Sequence, residues 1–273
     1  MPVLQRPARG RARDDRDRVS TGRIALVTGA AQGIGAAIAE RLAAAGMTVA
    51  MADLADPAAW TTTRDQVAAA GESGKSGTAP STHRVDVRSA ESCRALVREV
   101  EARHGGLDVL VNNAGVNGRG PAEELSEQDW NDPLEVNLSG TFRMCQAAYP
   151  LLTASPAPCI VNLTSTAGQV AVPGCAGYAV SKAGILHLTR VLALEWAAKG
   201  IRVNAVGPTI VPTAMNAEVR ADAEYLTDKL ASIPLGRMVE PGEVADGVAF
   251  LASPAAKMVT GHTLFVDGGV VLG

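Results

Sequence analysis

The sequence predicts an α/β fold, a doubly wound parallel sheet of seven strands with helices on both faces, on three grounds. From Arg23 onward, β-branched apolar runs of strand length alternate with longer helical patterns, the βαβα order of such a sheet. The strand runs are apolar at successive positions, so both of their faces are expected to be buried. Hydrophobic residues make up 47% of the chain and aromatics only 3%, a composition suited to small-residue helices packed close on a buried sheet.

The elements follow in order. The first strand is Arg23–Thr28 and the first helix Gly33–Ala45, followed by strand Met47–Ala52 and helix Ala58–Ala70. The stretch Gly71–Pro80 (GESGKSGTAP) reads as a surface loop, because one alternation continues on both sides of it. Strand Thr82–Asp86, helix Ser89–His104 and strand Leu107–Asn112 come next. Asp132-Pro133-Leu134-Glu135 offers an N-cap, a proline at the first helical position and a carboxylate in the first turn. A helix Pro133–Tyr149 is therefore expected after a short turn over Ser126–Asn131; a start at Ser126 would put Pro133 in the helix interior. Strand Cys159–Thr164, helix Gly177–Lys199 and strand Ile201–Val206 lead to an amphipathic helical segment, Thr213–Ile233, expected to act as a lid. Helix Pro241–Ala252 and strand Thr263–Val266 complete the pattern. One domain over residues 23–273 is expected, preceded by an Arg/Asp-rich tail, residues 1–22, without the apolar period of a folded segment.

Bulk properties exclude several function classes. The net charge of −3 gives no general pull toward nucleic acid or anionic lipid. No apolar run is long enough to span a bilayer, so no membrane partner is expected. The four cysteines (Cys93, Cys145, Cys159, Cys175) and four histidines are scattered without metal-ligand spacing. No metal is expected, and free thiols fit a reducing, cytoplasmic setting.

The first strand runs into TGAAQGIG (Thr28 to Gly35) and then an Ala-rich helix. Glycine at 29 permits a tight turn, glycine at 33 lets a diphosphate approach the backbone, and glycine at 35 lets the helix lie close on the sheet. Glycine pairs alone occur in ordinary turns; placed between a buried strand and a helix, they point to a Rossmann-like dinucleotide site. Asp53, just beyond the second predicted strand, stands where a carboxylate accepts hydrogen bonds from an adenosine ribose, although alone it also reads as a helix cap. A carboxylate there repels a 2′-phosphate, which favours NAD over NADP. Tyr178 and Lys182 lie four apart and share a helix face. A free phenol, with a pKa of about 10, is a poor base at neutral pH; an ammonium one turn away and a positively charged nicotinamide both favour the phenolate. Such a pair alone equally decorates a solvent-facing helix. Ser165, after a central strand, would stand at the sheet edge where ligands bind.

TGAAQGIG, Asp86 in VDV, NNAG at Asn112–Gly115, Asn137 in VNLSGTF, Ser165, Tyr178-Ala-Val-Ser-Lys182 and the terminal VDGG together resemble the short-chain dehydrogenase/reductase family, from Arg23 to about Gly269. The resemblance implies that Tyr178 is the general acid/base, that Lys182 binds the nicotinamide ribose and lowers the tyrosine pKa, that Ser165 anchors the substrate oxygen, and that Asn137 holds a water completing a proton relay. It implies a cofactor cradle of Gly29, Gln32, Gly33, Ile34, Gly35 and Asp53, with Asp86 and Val87 at the adenine. Asn112, Ala114 and Gly115 would stand behind the adenosine ribose, and Pro208, Ile210, Val211 and Thr213 on the nicotinamide side, with Tyr178 and Lys182. VDGG reads as mainly structural.

The chain departs from the family where Thr209 follows Pro208 in place of the common glycine, which restricts the backbone and adds a hydroxyl. Pro-Thr and the LALEWAAKGIRVN stretch resemble sugar-type members. The implied activity is hydride transfer between NAD(H) and a secondary alcohol or ketone, first a sugar, polyol or hydroxy acid, with Asn216, Arg220 and Tyr225 as candidate substrate contacts. A 3-oxoacyl reductase or a dehydrogenase of hydrophobic, steroid-like alcohols is the rival enzyme, and a catalytically silent binding or regulatory protein the rival of another class. The family resemblance also implies a homo-oligomer, tetramer or dimer.

Overall fold

The computed structural model describes residues 22–73 and 79–272. The tail expected over residues 1–22 lies, except for Gly22, outside the described residues, as does the middle of the Gly/Ser-rich stretch.

Seven strands form one parallel sheet: β1 (Ile24–Thr28), β2 (Thr48–Asp53), β3 (Ser81–Arg84), β4 (Val109–Asn112), β5 (Cys159–Leu163), β6 (Arg202–Pro208) and β7 (Thr263–Val266). Their order is β3-β2-β1-β4-β5-β6-β7, so the chain reverses its direction of winding between β1 and β4. A crevice opens at such a switch point beyond the carboxyl ends of the strands. The buried-strand reading holds for β1, β2, β4, β5 and β6, whose alternate side chains serve two cores, whereas the edge strands β3 and β7 stay partly exposed because a neighbouring strand covers each on one side only. Ala25 and Val27 pack with Ile38 and Leu42 of α1 (Gly33–Ala44), Val67 of α2 (Thr61–Ser73) and Val248 of a late helix, Pro241–Ala252. Leu26, Leu110 and Ile160 pack on the opposite face with Leu96 of α3 (Ala90–His104) and with Met144 and Leu152.

The start of the central helical region differs from expectation. Ser126, not Asp132, caps a helix, α4 (Glu127–Pro133), its hydroxyl accepting from the Asp129 N–H at 3.1 Å. Pro133 lies inside, and the chain continues as a π-helical turn, Leu134–Ser139, into α5 (Gly140–Ala154). Proline has no N–H for the carbonyl four residues back, and the wider turn that follows absorbs the lost bond instead of ending the helix. That carbonyl, on Asp129, faces two glycines: a Cβ at Gly118 or Gly177 would stand 3.1 or 3.2 Å from it. Glycine there lets the post-β4 loop and the following α6 (Ala176–Trp196) close on the proline turn.

Smaller differences have local causes. Helix α2 runs to Ser73, so the first residues of GESGKSGTAP are helical. Strand β3 ends at Arg84, after which Val85 N–H still bonds to the Asp53 carbonyl at 2.7 Å. The lid expected at Thr213–Ile233 is broken into a 3₁₀ turn (Ala214–Asn216), α7 (Ala217–Ala221) and α8 (Ala223–Ala231), because Asp222 leaves helical geometry and caps α8. Helix α9 is Pro241–Ala252. The VDGG turn carries Gly268 and Gly269 at φ +63° and +98°, and Asp267 accepts from the Gly269 and Val271 N–H groups at 2.9 Å each. A Cβ on Gly268 would stand 2.7 Å from Ile233, so this turn packs against the end of the segment that follows α8.

Candidate active site

A cavity of about 460 Å³ occupies the crevice at the carboxyl ends of β1, β2 and β4. Gly29, Gln32, Gly33, Ile34, Gly35, Asp53, Asp86, Val87, Ala114, Gly115 and Thr213, all named from the sequence, line it. Its floor is shaped by missing side chains. Gly33 sits at φ +59°, and a Cβ on it would meet Thr213 at 3.3 Å; a Cβ on Gly35 would stand 2.0 Å from the Gly29 carbonyl oxygen. The turn thus presents bare backbone at the N-terminus of α1, where free N–H groups and the helix dipole favour phosphate. A dinucleotide fits these residues. Asp53 Oδ2 accepts from Ala31 N–H at 3.0 Å and Oδ1 from Ala55 N–H at 3.1 Å, so the carboxylate fixes the turn while facing the cavity. Asp86 is paired with Arg88 through both carboxylate oxygens, which holds its carboxyl below the usual range.

Asn112 differs from expectation. Its side chain is buried and bonds to Asn162 Oδ1 at 2.8 Å and to Cys145, pointing into the sheet rather than the cavity. The next residue, Asn113, lines the cavity, and its Nδ2 donates to the Thr28 and Gly29 carbonyls at 3.0 and 2.9 Å. Strand alternation held the signal, since adjacent residues of NNAG must face opposite ways.

A second chamber of about 110 Å³ shares Ile34, Gly115 and Thr213 with the large cavity and is walled by Ser165, Tyr178, Lys182, Pro208 and Val211. Ser165 stands at the carboxyl end of β5, buried, its hydroxyl accepting from Ala167 N–H at 3.2 Å. Tyr178 and Lys182 project from one face of α6, with the Lys182 ammonium 5.6 Å from the Tyr178 ring centre. Burial pushes the Tyr178 phenol above its ordinary value, while the Ser165 hydroxyl and the Arg119 charge act in the opposite direction. Burial alone pulls Lys182 down to about 8. Lys182 Nζ donates to the Leu163 carbonyl at 2.9 Å, leaving further ammonium hydrogens for other partners.

Asn137 lies in the π-helical turn, fully buried. Its Oδ1 accepts from Val116 N–H at 2.8 Å, and its Nδ2 donates to the Val116 carbonyl and to Ser181 Oγ, each at 3.0 Å. The amide therefore ties the post-β4 loop to α6 beside Lys182. Gly115 completes the junction: a Cβ there would stand 3.1 Å from Asn137 Oδ1 and 3.7 Å from Lys182 Nζ.

A third chamber, also about 110 Å³, again includes Ser165, Tyr178 and Thr209, and adds Ile210, which thus lies on this side and not in the chamber beside Lys182. Asn216 and Tyr225 line it, but Arg220 does not; its guanidinium bonds to Asn216 Oδ1 and the Thr213 carbonyl, both at 3.1 Å, and ties α7 to the 3₁₀ turn before it. Sequence reasoning missed Arg119 and Lys229 in this wall. Lys229 was within reach as the residue four after Tyr225 on one helix face, whereas Arg119 sits in a loop that no local pattern directs.

Comparisons with known proteins agree with this geometry. A family model described as enoyl-(acyl carrier protein) reductase matches residues 29–271. D-threitol dehydrogenase of Mycolicibacterium smegmatis is 43% identical over 92% of this chain and 94% of its own length. A structure described as a short-chain alcohol dehydrogenase of Sinorhizobium meliloti superposes with a TM-score of 0.86 at 38% identity, covering 93% of this chain and 98% of the other. Another, described as an NAD(P)-dependent gluconate 5-dehydrogenase of Beutenbergia cavernae and holding NADP at low occupancy, gives 0.84 at 37% identity, covering 93% and 98%.

Proposed function

The chain belongs to the short-chain dehydrogenase/reductase family, and from that premise we propose that it oxidises a secondary alcohol of the sugar, polyol or hydroxy-acid class to the ketone, and catalyses the reverse, with NAD as cofactor. One observation carries the reading: Ser165, Tyr178 and Lys182 wall a single chamber that opens onto the glycine-lined cavity.

A bound nicotinamide supplies the hydride acceptor or donor that no side chain provides. The side chains handle the oxygen and its proton. Ser165 hydrogen-bonds the substrate oxygen at the end of β5. Tyr178 takes the hydroxyl proton as the carbinol is oxidised, and returns it in the reduction. Lys182 stands next to the phenol and exchanges the proton onward; Asn137, through Val116 and Ser181, fixes the loop and helix that flank the ammonium. Gln32, Gly33, Ile34 and Gly35 would take the diphosphate, Asp53 the adenosine ribose, and Asp86 and Val87 the adenine. Pro208, Val211 and Thr213, with Tyr178 and Lys182, would take the nicotinamide ribose side.

Asp53 supports NAD over NADP because a 2′-phosphate would meet its carboxylate, and the nearby Arg88 is already committed to Asp86. Apolar side chains on the outer faces of α5 and α6, Phe142, Val180 and Leu194 among them, are exposed and support a homo-oligomer, dimer or tetramer, that sedimentation would count. The unpaired cysteines support a reducing, cytoplasmic setting. A panel of polyols, sugar acids and hydrophobic alcohols, each with NAD and with NADP, tests the assignment. We expect turnover with NAD, lowered by roughly a hundredfold or more in Tyr178→Phe while NADH binding persists. Undiminished turnover in that variant would overturn the role of the tyrosine.

A further inference from the structure

We propose that the substrate is a polyhydroxy acid, its carboxylate held by Arg119 and Lys229 and a neighbouring hydroxyl held by Thr209 in the chamber that also contains Ser165 and Tyr178. This rests on the oxidoreductase reading and narrows it to one substrate chemistry.

The first support is charge. Among the described residues the chamber wall contains two cations, Arg119 and Lys229, and no Asp or Glu. Among the described residues neither cation forms an ion pair. Two like charges on one small cavity repel each other, and a bound anion relieves the repulsion. Arg119 is held in place by an aromatic side chain. Its guanidinium carbon lies 5.2 Å from the Tyr225 ring centre, and Nη2 donates to the Tyr225 hydroxyl at 3.2 Å. Guanidinium has five donors in a planar fork, so the fork keeps donors for a carboxylate. Lys229 follows Tyr225 by one turn of α8 and lines the same wall. The Arg119 charge also reaches Tyr178, where burial raises the phenol pKa and the cation is the smallest of the opposing influences.

The second support is an unsatisfied hydroxyl. Thr209 is 8% exposed, its Oγ1 has no hydrogen-bond partner among the described residues, and it lines both small chambers. A buried hydroxyl left without a partner is costly, and a substrate hydroxyl supplies one. The third support is size. A chamber of about 110 Å³ is well below the several hundred Å³ that larger ligands fill, and favours a short hydroxylated chain over a steroid or a long acyl group.

The test compares gluconate with glucitol, the polyol of the same length without the carboxylate, using the full chain and saturating NAD. We expect kcat/KM to favour gluconate by roughly tenfold or more, and the advantage to shrink as salt is raised. Arg119→Gln and Lys229→Gln should each lower the gluconate-to-glucitol preference by roughly tenfold, mainly through KM, whereas Arg94→Gln, a charge change on the distant face of α3, should leave the preference where it was. Calorimetric binding of gluconate to the NADH complex of Tyr178→Phe should weaken when Arg119→Gln is added. Equal use of the two substrates, or equal losses for both in the Arg119 and Lys229 variants, would overturn the anion subsite while leaving the oxidoreductase reading intact. Binding of gluconate that depends on Arg119, without turnover of any polyol or acid, would instead keep the subsite and sink the oxidoreductase reading.

Discussion

At the scale of single residues, burial sets the chemistry of the pair on α6. The Lys182 ammonium is pulled down to about 8 by desolvation, while the Tyr178 phenol is pushed above its ordinary 10. Lysine is therefore the group that titrates near physiological pH, and the sign of its effect depends on direction. Below about 8 it carries the proton that reduction consumes; above that it is a neutral acceptor for the proton that oxidation releases. Ketone reduction should fall as pH rises through this range, and alcohol oxidation should rise over the same range, when kcat is followed in both directions on one substrate pair. Matching profiles in the two directions would exclude Lys182 as the controlling group. These residues were legible because chemistry restricts them: few side chains serve as a base beside a dinucleotide, and a spacing of four fixes their common face. Arg119 was not legible, because its role comes from a contact with Tyr225, 106 positions away.

At the scale of elements, the π-helical turn is the device that brings two distant segments to Lys182. Local rules placed a helix start at Pro133, because a proline inside a helix removes a hydrogen bond. They missed that the chain widens its turn and continues, a choice made by tertiary contacts of the Asp129 carbonyl and the Asn137 amide. The buried amide of Asn137 satisfies Val116 on both its N–H and carbonyl and also bonds Ser181. Asn137→Ala should remove the side-chain partner of the Val116 N–H and carbonyl, Ser181 keeping its bond to the Tyr178 carbonyl, and cost about 1–3 kcal/mol in all, seen as a lower midpoint in urea. It should also lower kcat more than it raises KM for cofactor, because the loop and helix beside the ammonium lose their tie. A variant with wild-type stability and unchanged kcat would remove the turn from the machinery. The central strands, by contrast, were legible as uninterrupted apolar runs, since a parallel strand buried on both faces must be apolar at successive positions, whereas the polar edge strand β3 (Ser81–Arg84) gives no such run and its bounds shifted.

At the scale of the whole molecule, the sheet divides its labour between a central switch point that holds the site and edge strands that carry polar networks with no part in it. At the β3 edge, Ser81 Oγ lies 2.9 Å from His83 Nε2 and 2.7 Å from His104 Nε2, and His83 Nδ1 lies 2.9 Å from Glu99. Burial lowers the His104 pKa, and the neighbouring Arg103 and His83 add to the effect. A histidine whose folded pKa is depressed contributes stability that is present above its unfolded value of about 6.5 and is lost as pH falls toward the folded pKa. The edge should therefore loosen on mild acidification while the central strands hold. Thermal midpoints measured between about pH 5 and 7.5 should fall with acid in the parent chain and fall less in His104→Gln, which cannot gain the proton. An equal acid slope in both proteins would assign the loss to other groups. The same experiment separates fold from function, because the network lies at the sheet edge and takes no part in the cavity of the switch point: turnover per folded molecule should be unaffected by His104→Gln at pH 7.5, where its imidazole is already neutral.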